Sequence, residues 1–392
     1  MNLTLALPAR GHRASLGTPI TVTATLDNTG QARTKVALSW ITRSTDMPVT
    51  PIEPSYVDVG AGEIVSVLQK VHLTQPGFIE ITCVAGTEKA VVRVGRQPEK
   101  INAPLTRQSD FDTFWRHSIA ELSKVPMQMT TREVSRMNGI ITSEITLHSL
   151  GNVRVRGWLE MPEVVGPHPA VIRVPGYSGR MEPISMAGNL IVFSFNPRAH
   201  GNSQDDVPGL PSDYWIRGLD NKDAYFYRGA YLDCVRATQF MLGHPAVDPK
   251  RVAIWGGSQG GGLAFATAAL VPQIALCLAD IPFLCDWENY FKLSEWPEMD
   301  KWITDAPGRT WPKTLRTLSY FDTINLAERI RCPVRMGVGL QDNVCPPSTS
   351  FAVFNRTRGR KEFTLYADYG HGVPQEHYDE GWTWIHRNFG IG

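Results

Sequence analysis

Hydrophobic and polar positions alternate through the first hundred residues, and then the rhythm changes. Ile20-Thr21-Val22-Thr23-Ala24-Thr25-Leu26 alternates strictly and stops at Asp27-Asn28-Thr29-Gly30, a turn signal. Short apolar runs follow at Val36–Ile41, Ile64–Leu73, Phe78–Cys83 and Ala90–Val94, separated by clusters of Gly, Pro, Asn and Thr with no helical stretch between them. This spacing predicts a small antiparallel β-sandwich of immunoglobulin-like type over residues 1–97. Trp40 and Tyr56 read as core or rim aromatics in it rather than as a sugar-binding face. Gln97-Pro98-Glu99-Lys100 reads as a polar linker, which makes residues 98–392 a second domain.

That second stretch has two periods. Phe111, Phe114, Trp115 and Ile119 share one face of a helix that Ser109 or Asp110 opens. Ile140–His148 and Val153–Met161 flank Gly151-Asn152, a hairpin signal. Ala170–Val174, Leu190–Phe195, Val252–Trp255, Ala275–Ile281, Val334–Leu340 and Phe363–Tyr366 are the short apolar runs of strands buried on both faces. Helical patterns lie at Asn221–Leu242, Leu263–Leu270 and Glu376–Phe389. The alternation predicts an α/β domain built on a doubly wound, mostly parallel sheet.

Between one of those strands and the helix after it stands Gly256-Gly257-Ser258-Gln259-Gly260. A serine on so sharp a strand-to-helix turn needs small neighbours, and the turn aims the first N–H groups of the helix at a substrate. Serine is a weak nucleophile until a base takes its proton, and the base needs an orienting acid. In this fold the order is Ser, then acid, then His, each after a strand. Asp342 follows Val334–Leu340 and His371 follows Phe363–Tyr366, so both satisfy order and place. His377 and His386 fall inside the last helix, and His200 precedes the serine. An oxyanion hole needs a second donor besides the Gln259 N–H, and the N–H of Tyr177 in Pro175-Gly176-Tyr177-Ser178-Gly179 is the candidate.

Composition narrows the partners. A chain of 392 residues is long enough for two cores, and a net charge of +1 with interspersed signs gives no footprint for nucleic acid or anionic lipid. No apolar run approaches a membrane span. The first residues carry no basic stretch and meet Pro8 early, which argues against a secretory signal and for a cytoplasmic protein. The six cysteines are scattered without C-x-x-C spacing, so zinc and redox motifs are not expected, and the serine chemistry above requires no metal or organic cofactor.

From about Leu105 onward the chain resembles the acetyl xylan esterase and cephalosporin C deacetylase family of α/β-hydrolases. The resemblance is carried by Asp110–Trp115, Tyr225–Asp233, Gly256–Gly262, Ile281–Asp286, Leu318–Asp322 and Gly339–Ser348. It implies a triad of Ser258, Asp342 and His371, oxyanion donors at Tyr177 and Gln259, and Pro282 as the residue that keeps the acyl pocket small. It also implies removal of acetyl groups from sugar esters or cephalosporin-like esters, and a homo-oligomer, the family's usual hexamer. Pro175-Gly176-Tyr177 stands where the family has His-Gly-Tyr, and Arg198-Ala199-His200-Gly201 where it has Arg-Gly-Gln-Gly. Family members commonly begin near Asp110, so the sandwich is an addition. The alternatives are a peptidase of the prolyl oligopeptidase type, an esterase of broader acyl range, and a non-catalytic carbohydrate-binding protein. No acidic pair is placed to hold a peptide amino terminus, and the intact Ser-Asp-His order argues against a binding protein.

Overall fold

The computed structural model describes residues 1–8, 18–185, 188–208 and 213–391. The alternating region forms β1 (Asn2–Ala6), β2 (Ile20–Asp27), β3 (Thr34–Arg43), β4 (Ser55–Val59), β5 (Ile64–Val71), β6 (Gly77–Ala85) and β7 (Glu88–Arg96). They make two antiparallel sheets, of order β1-β2-β5 and β4-β3-β6-β7. Every second residue of β2 and β3 is buried, so their period of two points one face of each sheet into a shared core of Val22, Leu26, Leu38, Trp40, Ile81 and Val94. Trp40 is therefore core, whereas Tyr56 is exposed with Lys35 over its ring.

The expected linker is not loose. Gln97 takes a left-handed conformation and Pro98–Lys100 forms one short turn with Pro98 buried. Asn355 Nδ2 donates to the carbonyls of Pro98 and Ile101 at 2.8 and 2.9 Å, and Phe78, Ile101 and Ala103 belong to the second domain's core.

That domain starts with α1 (Phe111–Ser123), whose buried face is Phe111, Phe114, Trp115, Ser118 and Leu122. Asp110 precedes it without a capping hydrogen bond, because its carboxylate accepts the Tyr320 hydroxyl instead. The sheet is built from β8 (Thr130–Met137), β9 (Ile140–His148), β10 (Arg154–Pro162), β11 (His168–Val174) and β12 (Ile191–Asn196). After α2 (Phe226–Gly243) come β13 (Val247–Gly257), α3 (Gln259–Leu270) and β14 (Leu276–Asp280). The helix expected from Asn221 begins only at Phe226, since residues 221–225 are turns. Then follow α4 (Trp287–Leu293), α5 (Pro297–Thr304), α6 (Trp311–Leu318), α7 (Thr323–Leu326), β15 (Val334–Gly339), α8 (Pro347–Arg356), β16 (Lys361–Tyr366) and α9 (Gln375–Phe389).

These nine strands pair in the order β16-β15-β14-β13-β11-β12-β10-β9-β8, parallel from β16 to β12 and antiparallel beyond. The chain steps from β11 outward to β12 and then returns to the other side of β11 at β13. Strand order reverses between those two strands, and in open α/β sheets ligands bind outside the carboxyl ends at such a point. One face of the sheet packs on α1, α2, α3 and α8, while α9 covers the other with Trp384, Ile385 and Phe389 against Val171, Ala253, Leu276 and Leu278. Among the described residues no helix is long and apolar enough to cross a membrane.

Candidate active site

Ser258 stands alone between β13 and α3 with φ 57° and ψ −123°, a conformation that costs a non-glycine residue about 1–3 kcal/mol. The glycines explain how the turn closes. A Cβ on Gly256 would lie 2.5 Å from the backbone C and O of Gly260, and one on Gly260 would lie 2.5 Å from the Val174 carbonyl oxygen. Ser258 N–H donates to Asp280 O and Phe283 N–H donates to Ser258 O, each at 2.9 Å, which fixes the strained residue from both sides.

Asp342 follows β15 and is wholly buried. Its Oδ1 accepts the N–H groups of Val344 and Cys345, both at 2.8 Å, and its Oδ2 lies 2.8 Å from His371 Nδ1. A carboxylate there assigns the imidazole proton to Nδ1, leaving Nε2 as an acceptor for the Ser258 hydroxyl 3.0 Å away. The three residues expected from order and spacing are thus joined in one chain of hydrogen bonds.

Gly176 brings the loop after β11 beside the serine: a Cβ on it would sit 3.8 Å from Ser258 Cβ. Gln259 is the first residue of α3 and Tyr177 lies just past Gly176. Among the described residues neither backbone N–H meets an acceptor. The Gln259 side chain is buried and held at both ends. Its Oε1 accepts the Tyr227 hydroxyl at 2.8 Å and its Nε2 lies 2.9 Å from His200 Nε2. His200 Nδ1 lies 2.9 Å from the Arg198 carbonyl, so Nδ1 carries the proton and Nε2 accepts from Gln259. Burial pushes the His200 imidazole down to about 4, with the Arg198 carbonyl and Asp233 opposing it. The sequence marked His200 as a histidine on the wrong side of the serine for the relay and as a departure from the family pattern, and its partnership with Gln259 had no signal in spacing.

Tyr177 packs its ring on Tyr214, Phe283 and Trp296 at centroid distances of 5.1, 6.5 and 6.3 Å. Pro282 is buried against the first turn of α3, where a Cβ on Gly261 would come within 2.9 Å of it. A pocket of about 690 Å³ opens at Ser258, but on the α9 face, and neither Tyr177 nor Pro282 lines it. Among the described residues no three His, Cys, Asp or Glu side chains converge to hold a metal ion.

Residues 100–388 match the family model described as acetyl xylan esterase (AXE1). The chain belongs to the acetyl xylan esterase family. It is an α/β-hydrolase and, with that family, a carboxylic ester hydrolase. The acetyl esterase Axe7A of Xylanibacter ruminicola is 29% identical over 309 residues, which span 74% of this chain and 70% of that one. Acetyl xylan esterase 1 from Thermoanaerobacterium sp. JW/SL YS485 superposes with a TM-score of 0.70 at 29% identity, covering 75% of this chain and 98% of that one. The acetyl xylan esterase of Paenibacillus sp. R4 gives 0.67 at 31%, covering 74% and 98%. As a member of the acetyl xylan esterase family, this chain carries the sandwich of residues 1–97 outside the matched region.

Proposed function

We propose that this protein is a serine acetylesterase that removes acetyl groups from the hydroxyls of sugars. The observation that carries the reading is the Asp342–His371–Ser258 relay set where strand order reverses. Ser258 attacks the acetyl carbonyl while His371 Nε2 takes its proton, and Asp342 orients the imidazole and stabilises its charged form. The N–H groups of Tyr177 and Gln259 hold the tetrahedral oxyanion. His371 then protonates the departing alcohol, and a water activated by the same nitrogen releases acetate from Ser258. Tyr177 and Pro282 limit the acyl side to a short chain. The six cysteines are all free thiols, in keeping with a cytoplasmic enzyme.

The test sets p-nitrophenyl acetate against an aminoacyl p-nitroanilide. The ester should be cleaved and the anilide left intact, and Ser258→Ala should lower kcat on the ester by about 10⁶. Turnover by Ser258→Ala within tenfold of the parent, or preference for the anilide, would overturn the assignment.

A further inference from the structure

The strands β11 and β12 are parallel neighbours, and a crossover between such strands is ordinarily a helix. Here the described residues of 175–190 contain none. The connection is pinned by buried side chains instead. Asn196 Oδ1 accepts the Met181 N–H at 2.7 Å, and Glu160 accepts the N–H groups of Ile184 and Ser185 at 2.9 and 2.6 Å. The space beside this helixless crossover is the pocket of about 690 Å³ at Ser258, within the range of roughly 300–1,000 Å³ that suits small ligands.

Its walls are of two kinds. Trp255, Tyr378 and Trp382 form an aromatic side: the Trp255 ring lies 4.9 Å from Trp382 and 6.1 Å from Tyr378. Gly381 lets α9 close on that ring, since a Cβ there would come within 2.5 Å of Trp255. Opposite in character is Arg173, the register partner of Trp255 on the adjoining strand. Its Nη1 donates to Ser194 Oγ at 3.0 Å and to the Glu182 carbonyl at 3.4 Å. Among the described residues no carboxylate lies within ion-pair distance of it, and its Nε and Nη2 meet no acceptor. Glu160, whose charge acts on this guanidinium, spends both oxygens on the crossover backbone. Burial lowers the Arg173 pKa, the direction expected of a cation short of a counter-charge. A guanidinium so placed binds a carboxylate in a two-point fork.

We propose that this pocket is the subsite for the alcohol half of the ester, and that the alcohol is a sugar acid. Its substrate is an O-acetylated uronate whose apolar ring face lies on Tyr378 and Trp382, which the buried Trp255 backs, and whose carboxylate pairs with Arg173. The inference rests on the acetylesterase reading above. The acetyl carbon passes to Ser258 Oγ as the sugar oxygen leaves with the proton from His371. Water then frees acetate, so one ester and one water give a uronate and acetate.

Two substrates with the same four acetates isolate the charge: tetra-O-acetyl glucuronic acid and tetra-O-acetyl xylopyranose, which lacks only the carboxyl group. The parent enzyme should prefer the acid ten- to a hundredfold in kcat/KM, and added salt should shrink that ratio. Arg173→Met should bring the ratio to about one, with Arg173→Lys between. A ratio of one or less in the parent enzyme overturns the proposal, however fast p-nitrophenyl acetate is cleaved. Binding to the Ser258→Ala protein, read as quenching of tryptophan fluorescence, gives an answer without turnover and without changing Arg173. There the acid should bind at least tenfold more tightly than the xylose ester, and equal binding again overturns the subsite. If the parent ignores p-nitrophenyl acetate while Ser258→Ala still discriminates, the esterase reading falls and the subsite stands.

Discussion

His200 shows what a single buried side chain does here. Its neutral form fits both partners, giving a proton to the Arg198 carbonyl and accepting one from Gln259. A second proton would set an N–H against the Gln259 amide, in a place already dry. With the folded pKa near 4 and the unfolded one near 6.5, the unfolded chain binds more protons between those values. Stability therefore falls as pH drops from 6.5 toward 4, by about 3 kcal/mol in all, and is independent of His200 above that window. His200→Gln removes the titration, so urea unfolding at pH 7, 5.5 and 4.5 should show a shallower decline than the parent. Equal declines would show that the imidazole is already solvated. Tyr177, proposed above as a wall of the acyl side, leans on Tyr214, Phe283 and Trp296, which leaves the ring little room to swing away. We expect p-nitrophenyl acetate to exceed octanoate in kcat/KM by at least about tenfold, since forcing extra methylenes into a packed wall costs roughly 1–3 kcal/mol. Octanoate at parity would mean that acyl chains enter the α9-side pocket instead. Ser258, Asp342 and His371 were legible because the elbow has a fixed spelling and the fold a fixed order. Arg173 was visible only as one charge in the apolar run Ala170–Val174, and nothing in spacing gave it a role.

Elements were legible where one face of each is dry. The parallel strands announced themselves as mostly apolar runs, broken only by single polar residues such as Arg173 and Arg335, because both faces are covered along β11, β12, β14 and β15. By contrast, β8 is exposed at all eight of its residues, so no hydrophobic period marks it and its pairing with β9 alone makes it a strand. β1 and β4 escaped because each buries a single residue. The elbow is the element where geometry is least forgiving. Gly256→Ala places a methyl 2.5 Å from the Gly260 backbone, which no rotamer can relieve. The variant should lose about 3 kcal/mol and nearly all esterase activity, because α3 must shift and carry the Gln259 N–H with it. A Gly256→Ala protein that melts with the parent and keeps its kcat would falsify this account of the turn.

At the scale of the whole molecule, the sandwich reaches the relay. Arg93 on β7 donates its backbone N–H to Gln341 Oε1 at 2.8 Å and its guanidinium to the Gln341 carbonyl at 2.9 Å, while Gln341 Nε2 returns a bond to the Arg93 carbonyl at 3.2 Å. Gln341 is the residue before Asp342. A second bridge runs from Ser348 Oγ to Asp46, whose burial raises its pKa. Composition alone made the sandwich an accessory, since no candidate catalytic residue lies in it, and contacts between distant segments leave no trace in periodicity. We expect removal of residues 1–97 to lower kcat/KM on p-nitrophenyl acetate by at least tenfold even where the hydrolase stays folded. Arg93→Ala should cost about 1–3 kcal/mol and part of the activity. A truncated enzyme with parental kcat/KM would show that the Asp342 loop holds itself.

The Arg93–Gln341 exchange has a consequence for the making of the protein. With β7 at the edge of its sheet, the Gln341 carboxamide offers Arg93 one acceptor and one donor, as a neighbouring strand would. It acts as a plug on an open ladder. That plug is encoded 248 residues downstream of the edge it covers. At translation rates of about 5–20 residues per second, the nascent sandwich waits on the order of 12–50 s with the edge groups of Arg93 unpaired by Gln341. In that interval the edge can accept another chain's strand, and the glutamine that closes it arrives with the loop that carries Asp342.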